Sequence, residues 1–203
     1  PRIVWWLAVP PRVISDYEYY LRLAEEYAVT GGLERDVYLL TIATNVPLYV
    51  AVLGTVMRVF GTGALTAQLF CFLLNIGNVF LLYRLAKRLT TARRALAAAA
   101  AFALLPENVF YSNLPGVEAL ALFTLLAGLD FCLRAREGTP AAGLWQTFFG
   151  GALLTFSACV RANAWAVAGV ALPLLIRRGR RKGDVRRWQP EHPRSRHRQL
   201  RRH

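Results

Sequence analysis

The sequence predicts an all-α, multi-pass transmembrane helical bundle, and three observations predict it. Of its 203 residues, 55% are apolar, and its mean hydropathy of +0.32 is high for a domain that faces water on every side. The apolar residues fall in runs that approach the ~20 residues a membrane span needs. The turns between those runs alternate, one basic and the next carrying only isolated polar groups, as successive crossings with basic residues kept to one side require.

The formal charge of +13 suggests a nucleic-acid partner until it is located. Residues 177–203 hold twelve Lys or Arg against two acids, so +10 of the total belongs to a basic tail and no nucleic-acid partner is expected. Cys71, Cys132 and Cys159 all lie inside apolar runs and read as small buried hydrophobes. They form neither a disulfide framework nor a metal-binding spacing, so no metal is expected. His192, His197 and His203 are all in the tail, which leaves acid–base chemistry in the membrane body to Asp and Glu.

Taken in order, the chain begins at Pro1, and residues 3–9 are apolar but too short to cross, so residues 1–65 are expected to hold the end of a truncated first span and a lumenal loop. Within that loop, residues 15–28 read as an amphipathic interfacial helix. Ser15 with Glu18 forms a capping-box pattern, and Tyr20, Leu23, Ala24 and Tyr27 share one face. Residues 37–60 are apolar, but Asn45 and Pro47 divide them, leaving about 21 Å of helix after the proline, which is not expected to cross. Residues 66–176 are expected to form about four transmembrane helices. The run 66–82 ends in the cluster Arg84, Lys87, Arg88, Arg93 and Arg94, and 95–105 leads away from it. The run 119–133 returns to Arg134 and Arg136, 145–160 leads out again, and 164–176 returns to the basic tail, read as disordered.

This parity puts the turns 106–118 and 161–163 on the face opposite the basic clusters. If residues 37–60 do not cross, Asp16 and Glu18 of the interfacial helix lie there too. Asp16, Glu18, Glu107, Asn108, Glu118, Arg161 and Asn163 then gather at one membrane face. An ordinary turn would also use Pro106, Asn113, Pro115 and Gly116, but carboxylates at a membrane edge are costly unless they serve a purpose. Arg161, with apolar flanks on both sides, demands a carboxylate or phosphate partner. Either a structural ion pair with Glu107 or Glu118 or an anchor for a leaving phosphate meets that demand.

Three blocks in this order carry a resemblance: Pro106-Glu107-Asn108-Val109-Phe110, Glu118-Ala119-Leu120, and Val160-Arg161-Ala162-Asn163. With the segment from Ser15 to Glu25, they resemble the signature of the GPI mannosyltransferase 2 family, also called PIG-V, and the resemblance implies a partial chain. Ser15, Gly116 and Ala162 depart from that family's pattern. The resemblance implies a GT-C-type glycosyltransferase of the endoplasmic reticulum membrane with its active face lumenal. That family adds the second mannose, in α1,6 linkage, from dolichyl-phosphate-mannose to the GPI precursor. The lipid-linked donor is a substrate, and no cofactor is implied. The two lipid-linked substrates are the implied partners, with an accessory membrane subunit admitted as a third. Carried over by position, Asp16 matches the family's candidate general base, and Glu118, Arg161 and Asn163 match its Glu and Arg-Asn positions. Beside this, Arg161 is read as the phosphate anchor and Glu18, Glu107, Asn108, Glu118 and Asn163 as substrate-binding residues. The alternatives are another lumenal polyprenyl-phosphate-sugar transferase and an inactive truncated membrane scaffold.

Overall fold

The computed structural model describes residues 16–33, 46–110, 114–135, 140–161, 163, 164, 166, 167, 169 and 170. The chain divides into two compact units, Pro1–Ala168 and Gly169–His203, and all the helices below lie in the first. Ser15, Asn45, Ala162 and the basic tail lie outside the described residues, as does most of the expected run 164–176.

Seven helices follow one another with no strand among the described residues. Helix α1 (Asp16–Thr30) carries Asp16 and Glu18 in its first turn, where the positive end of the helix dipole favours acids. It buries Leu23, Ala24 and Ala28. That face beds on α2 (Val46–Phe60), whose Tyr49, Val50, Leu53 and Met57 are fully buried in the main apolar cluster. Tyr20 meets Tyr49 edge to face with ring centroids 6.0 Å apart, so the amphipathic helix is fastened to its neighbour by an aromatic contact. Pro47 sits in the first turn of α2, where its missing N–H costs nothing, so it starts the helix there.

Helix α3 (Ala64–Leu89) is 26 residues long, about 39 Å at the α-helical rise. It exposes Leu65, Leu69, Leu73, Ile76 and Phe80 along one stripe while burying Ala67, Cys71, Asn78 and Leu81 on the other face. An apolar stripe of that length facing outward is a lipid-facing surface. Thr90 and Thr91 make the sharp turn into α4 (Ala92–Leu104). Leu105 is extended, as a residue before proline prefers, and Pro106 opens the short α5 (Pro106–Phe110). Helix α6 (Val117–Arg134) and helix α7 (Pro140–Val160) complete the described fold.

Among the described residues, two helices are long and apolar enough to cross a membrane, α3 and residues Ala141–Val160 of α7. The other expected crossings differ for physical reasons. With 13 residues, α4 extends only about 20 Å, against a hydrocarbon core of about 30 Å. With 18 residues, α6 is longer but contains Glu118, Asp130 and Arg134.

The side-chain bonds fix the directions of the helices. Asn78 of α3 donates to the carbonyl of Ala119, and Arg88 further along α3 reaches Asp130 further along α6, so α3 and α6 run parallel. Ser157 of α7 donates to the carbonyl of Ala121, whereas Gly150, earlier in α7, lies against Gly128, later in α6, so α7 runs antiparallel. The parity read from the charges requires these same directions.

At the α6–α7 crossing the two backbones nearly touch. A Cβ on Gly128 would lie 3.0 Å from the Gly150 carbonyl oxygen, and one on Gly150 would lie 2.6 Å from Cys132 Sγ. Small residues at such crossings are how membrane helices gain packing energy. Gly128→Val is expected to cost about 1–3 kcal/mol through overpacking. Thermal unfolding in detergent measures this, and an unchanged midpoint would contradict the close crossing.

At the end of α3 and α6 away from Glu118, the buried carboxylate of Asp130 meets three guanidinium groups. Arg84 Nη2 and Arg134 Nη2 lie 3.0 and 2.9 Å from Oδ2, and Arg88 Nε lies 3.2 Å from Oδ1. The basic residues that mark one side of the membrane thus also clamp α3 to α6.

Candidate functional site

The other end of these helices holds a cleft of about 290 Å³. Its walls are Tyr17 of α1, Asn75 and Asn78 of α3, Glu107 and Asn108 of α5, Glu118 and Leu122 of α6, Gly116 before α6, and Arg161 after α7. Five helices contribute: α1, α5, α6 and α7 through residues at or beside their ends, and α3 through Asn75 and Asn78 near its middle.

Each wall has a local reason for its place. Glu118 sits in the first turn of α6 and Arg161 directly follows the last turn of α7, so each charge complements the dipole of its own helix. Because the two helices are antiparallel, those ends coincide, and Arg161 Nη1 pairs with Glu118 Oε1. The Arg161 and Glu118 side chains are 43% and 52% exposed, so the pair stands at the mouth of the cleft and contributes at most about 1 kcal/mol to stability. Asn108 Nδ2 donates to the carbonyl of Phe102 at 3.0 Å, which folds α5 back against the end of α4. Gly116 allows the closest approach. A Cβ there would press on the Glu118 carboxylate and lie 2.9 Å from Tyr17 Cε1.

The cleft brings together four of the residues singled out by sequence: Glu107, Asn108, Glu118 and Arg161. Asp16 is exposed at the start of α1, one residue before Tyr17, and does not line the cleft. Glu18 and Asn163 are also exposed and outside its lining. Tyr17, Asn75 and Asn78 line the cleft without having been singled out. The signal for the two amides was present: the apolar run 66–82 contains Asn75 and Asn78 one turn apart, and polar groups inside a membrane helix are usually there for a reason. A tyrosine on an acidic amphipathic helix carries no comparable signal. Among the described residues, no group of three His, Cys, Asp or Glu is placed to hold a metal.

With one guanidinium, two carboxylates, three carboxamides and a phenol at a membrane-facing helix end, this site suits a ligand that is anionic at one point and hydroxylated elsewhere. Fold and site together define a membrane-embedded helical protein with a polar cleft at one end of its bundle. The family described as dolichyl-phosphate-mannose-protein mannosyltransferase matches residues 44–186, more than half of the chain, and the chain belongs to that family. It is a membrane glycosyltransferase of the GT-C mannosyltransferase type. No curated protein and no solved structure matches it.

Proposed function

We propose that the chain transfers mannose from dolichyl-phosphate-mannose to the GPI precursor, adding the second mannose in α1,6 linkage at the lumenal face of the endoplasmic reticulum. The observation that carries this reading is the meeting of Glu107, Asn108, Glu118 and Arg161 in one cleft. These four residues come from the sequence blocks that resemble the GPI mannosyltransferase 2 family. The matched family supports mannosyl transfer in general.

In the proposed reaction the 6-hydroxyl of the acceptor mannose attacks the anomeric carbon of the donor. The new C–O bond forms as the bond from that carbon to the phosphate oxygen breaks. The hydroxyl proton passes to the Asp16 carboxylate, which stands outside the cleft lining one residue before Tyr17 and meets the acceptor as it enters, and dolichyl phosphate departs held by Arg161 through charge-assisted hydrogen bonds. One displacement on a β-linked donor gives the α-linked product, so no covalent nucleophile is required. Glu107, Asn108 and Glu118 orient sugar hydroxyls within the cleft, and Glu18 and Asn163 do so from its surroundings. The GPI precursor and an accessory membrane subunit remain the proposed partners.

General-base catalysis contributes typically 10²–10⁴-fold, so Asp16→Ala is expected to lower kcat by about 10² or more with donor binding retained. Full transfer by Asp16→Ala in microsomes would remove this assignment and leave Glu107 and Glu118 as the carboxylates that line the cleft. A second reading is favoured by the description of the matched family, whose acceptor is protein. Expression in cells lacking the second GPI mannosyltransferase separates the two. Restored surface GPI-anchored protein supports the lipid acceptor, whereas no restoration together with new mannosylated protein supports the other.

A further inference from the structure

The cleft grades from a charged, half-exposed mouth to a buried floor, and Asn78 forms that floor with 0% exposure. Its Nδ2 donates to the Ala119 carbonyl at 3.1 Å. A carbonyl can only accept, so this bond fixes which end of the carboxamide points where; it uses one of the two Nδ2 protons and leaves Oδ1 facing elsewhere. Asn78 Oδ1 is buried and has no hydrogen-bond partner. An orphaned acceptor inside an apolar helix bundle carries its full desolvation cost, and such groups call for an explanation. One turn earlier, Asn75 also commits its N–H, to the Cys71 carbonyl at 3.0 Å. The floor therefore offers Asn78 Oδ1 as an acceptor without a partner, while the mouth offers Arg161, a donor and a cation.

We infer that Asn78 Oδ1 accepts a hydrogen bond from a hydroxyl of the donor sugar, making Asn78 a residue that distinguishes a sugar-bearing lipid phosphate from the bare lipid phosphate. The inference rests on the reading of this cleft as the mannosyl-donor site. A ligand held by its phosphate at Arg161 and by a hydroxyl at Asn78 has the polarity that the cleft grades along. Neither contact alone recognises it: dolichyl phosphate satisfies Arg161 and leaves Oδ1 unpaired.

The test is equilibrium binding of dolichyl-phosphate-mannose and of dolichyl phosphate to the full chain in lipid nanodiscs. Asn78→Leu keeps the volume and removes the acceptor. It is expected to weaken binding of the mannosylated lipid about tenfold and leave dolichyl phosphate binding unchanged. Retained dolichyl phosphate binding also reports that the variant is folded. Should thermal unfolding show that Asn78→Leu is not folded, Asn78→Thr is measured instead, since its hydroxyl can bond back to its own helix without reaching the cleft. Equal losses for both lipids, or no loss for either, would overturn the role of Asn78 while leaving the donor reading in place. A wild-type chain that binds neither lipid overturns the donor reading and this inference with it.

Discussion

Replacing Arg161 with Gln is expected to lower mannosyl transfer by about 10²–10³-fold, the cost of removing one preorganised donor from a developing oxyanion. Arg161 pairs with Glu118 at the cleft mouth, and it lies just past the C-terminus of α7. As a phosphate leaves, negative charge builds on the bridging oxygen, and a guanidinium aimed there stabilises the transition state more than the ground state. The loss should therefore appear in kcat at saturating donor. Arg161→Lys keeps the charge but not the planar fork and should recover only part of the rate. Stability should move little in either variant, because the pair is half exposed. If Arg161→Gln instead unfolded the chain while leaving the rate of the surviving fraction intact, the residue would be a structural ion pair and not a phosphate anchor.

The second large effect lies at the opposite end of the bundle and is one of stability. Removing one partner from a buried ion pair costs about 3–5 kcal/mol, because the charge left behind has lost both water and partner. Asp130 is 3% exposed and serves three arginines, which are themselves 22–34% exposed. Those arginines can turn partly toward water or headgroups, so Asp130→Asn is expected at or below the lower end of that range. Arg134→Leu should cost less, since Arg84 and Arg88 still meet the carboxylate. Thermal unfolding in detergent reads both, and Asp130→Asn matching the wild-type midpoint would show that the clamp does not hold α3 to α6.

The sequence displayed some of this more clearly than the rest, and the reasons are physical. Long apolar runs mark α3 and α7 because a lipid-facing stripe and a buried face are both hydrophobic. The break at Leu105 and Pro106 was legible because proline restricts its neighbour. The directions of α3, α6 and α7 followed from the positions of the basic turns, and with them the nearness of Glu118 to Arg161. Asp130, Asn75 and Asn78 were passed over because each is one polar residue in a run whose average is strongly apolar. Asp130 and Asn78 are paired across helices, and those pairings depend on helix rotation, which hydropathy does not encode. The exclusion of Asp16 from the cleft lining, while its neighbour Tyr17 enters it, is likewise set by the rotation of α1.

Mannosyl transfer through Arg161 is tested most directly with labelled dolichyl-phosphate-mannose in microsomes that contain the full chain, comparing wild type with Arg161→Gln. Label is expected in the GPI-precursor lipid fraction with wild type and at least a hundredfold less with Arg161→Gln at equal membrane insertion. Equal labelling by the two proteins, or no transfer to any acceptor by a correctly inserted wild-type chain, would contradict mannosyl transfer through Arg161.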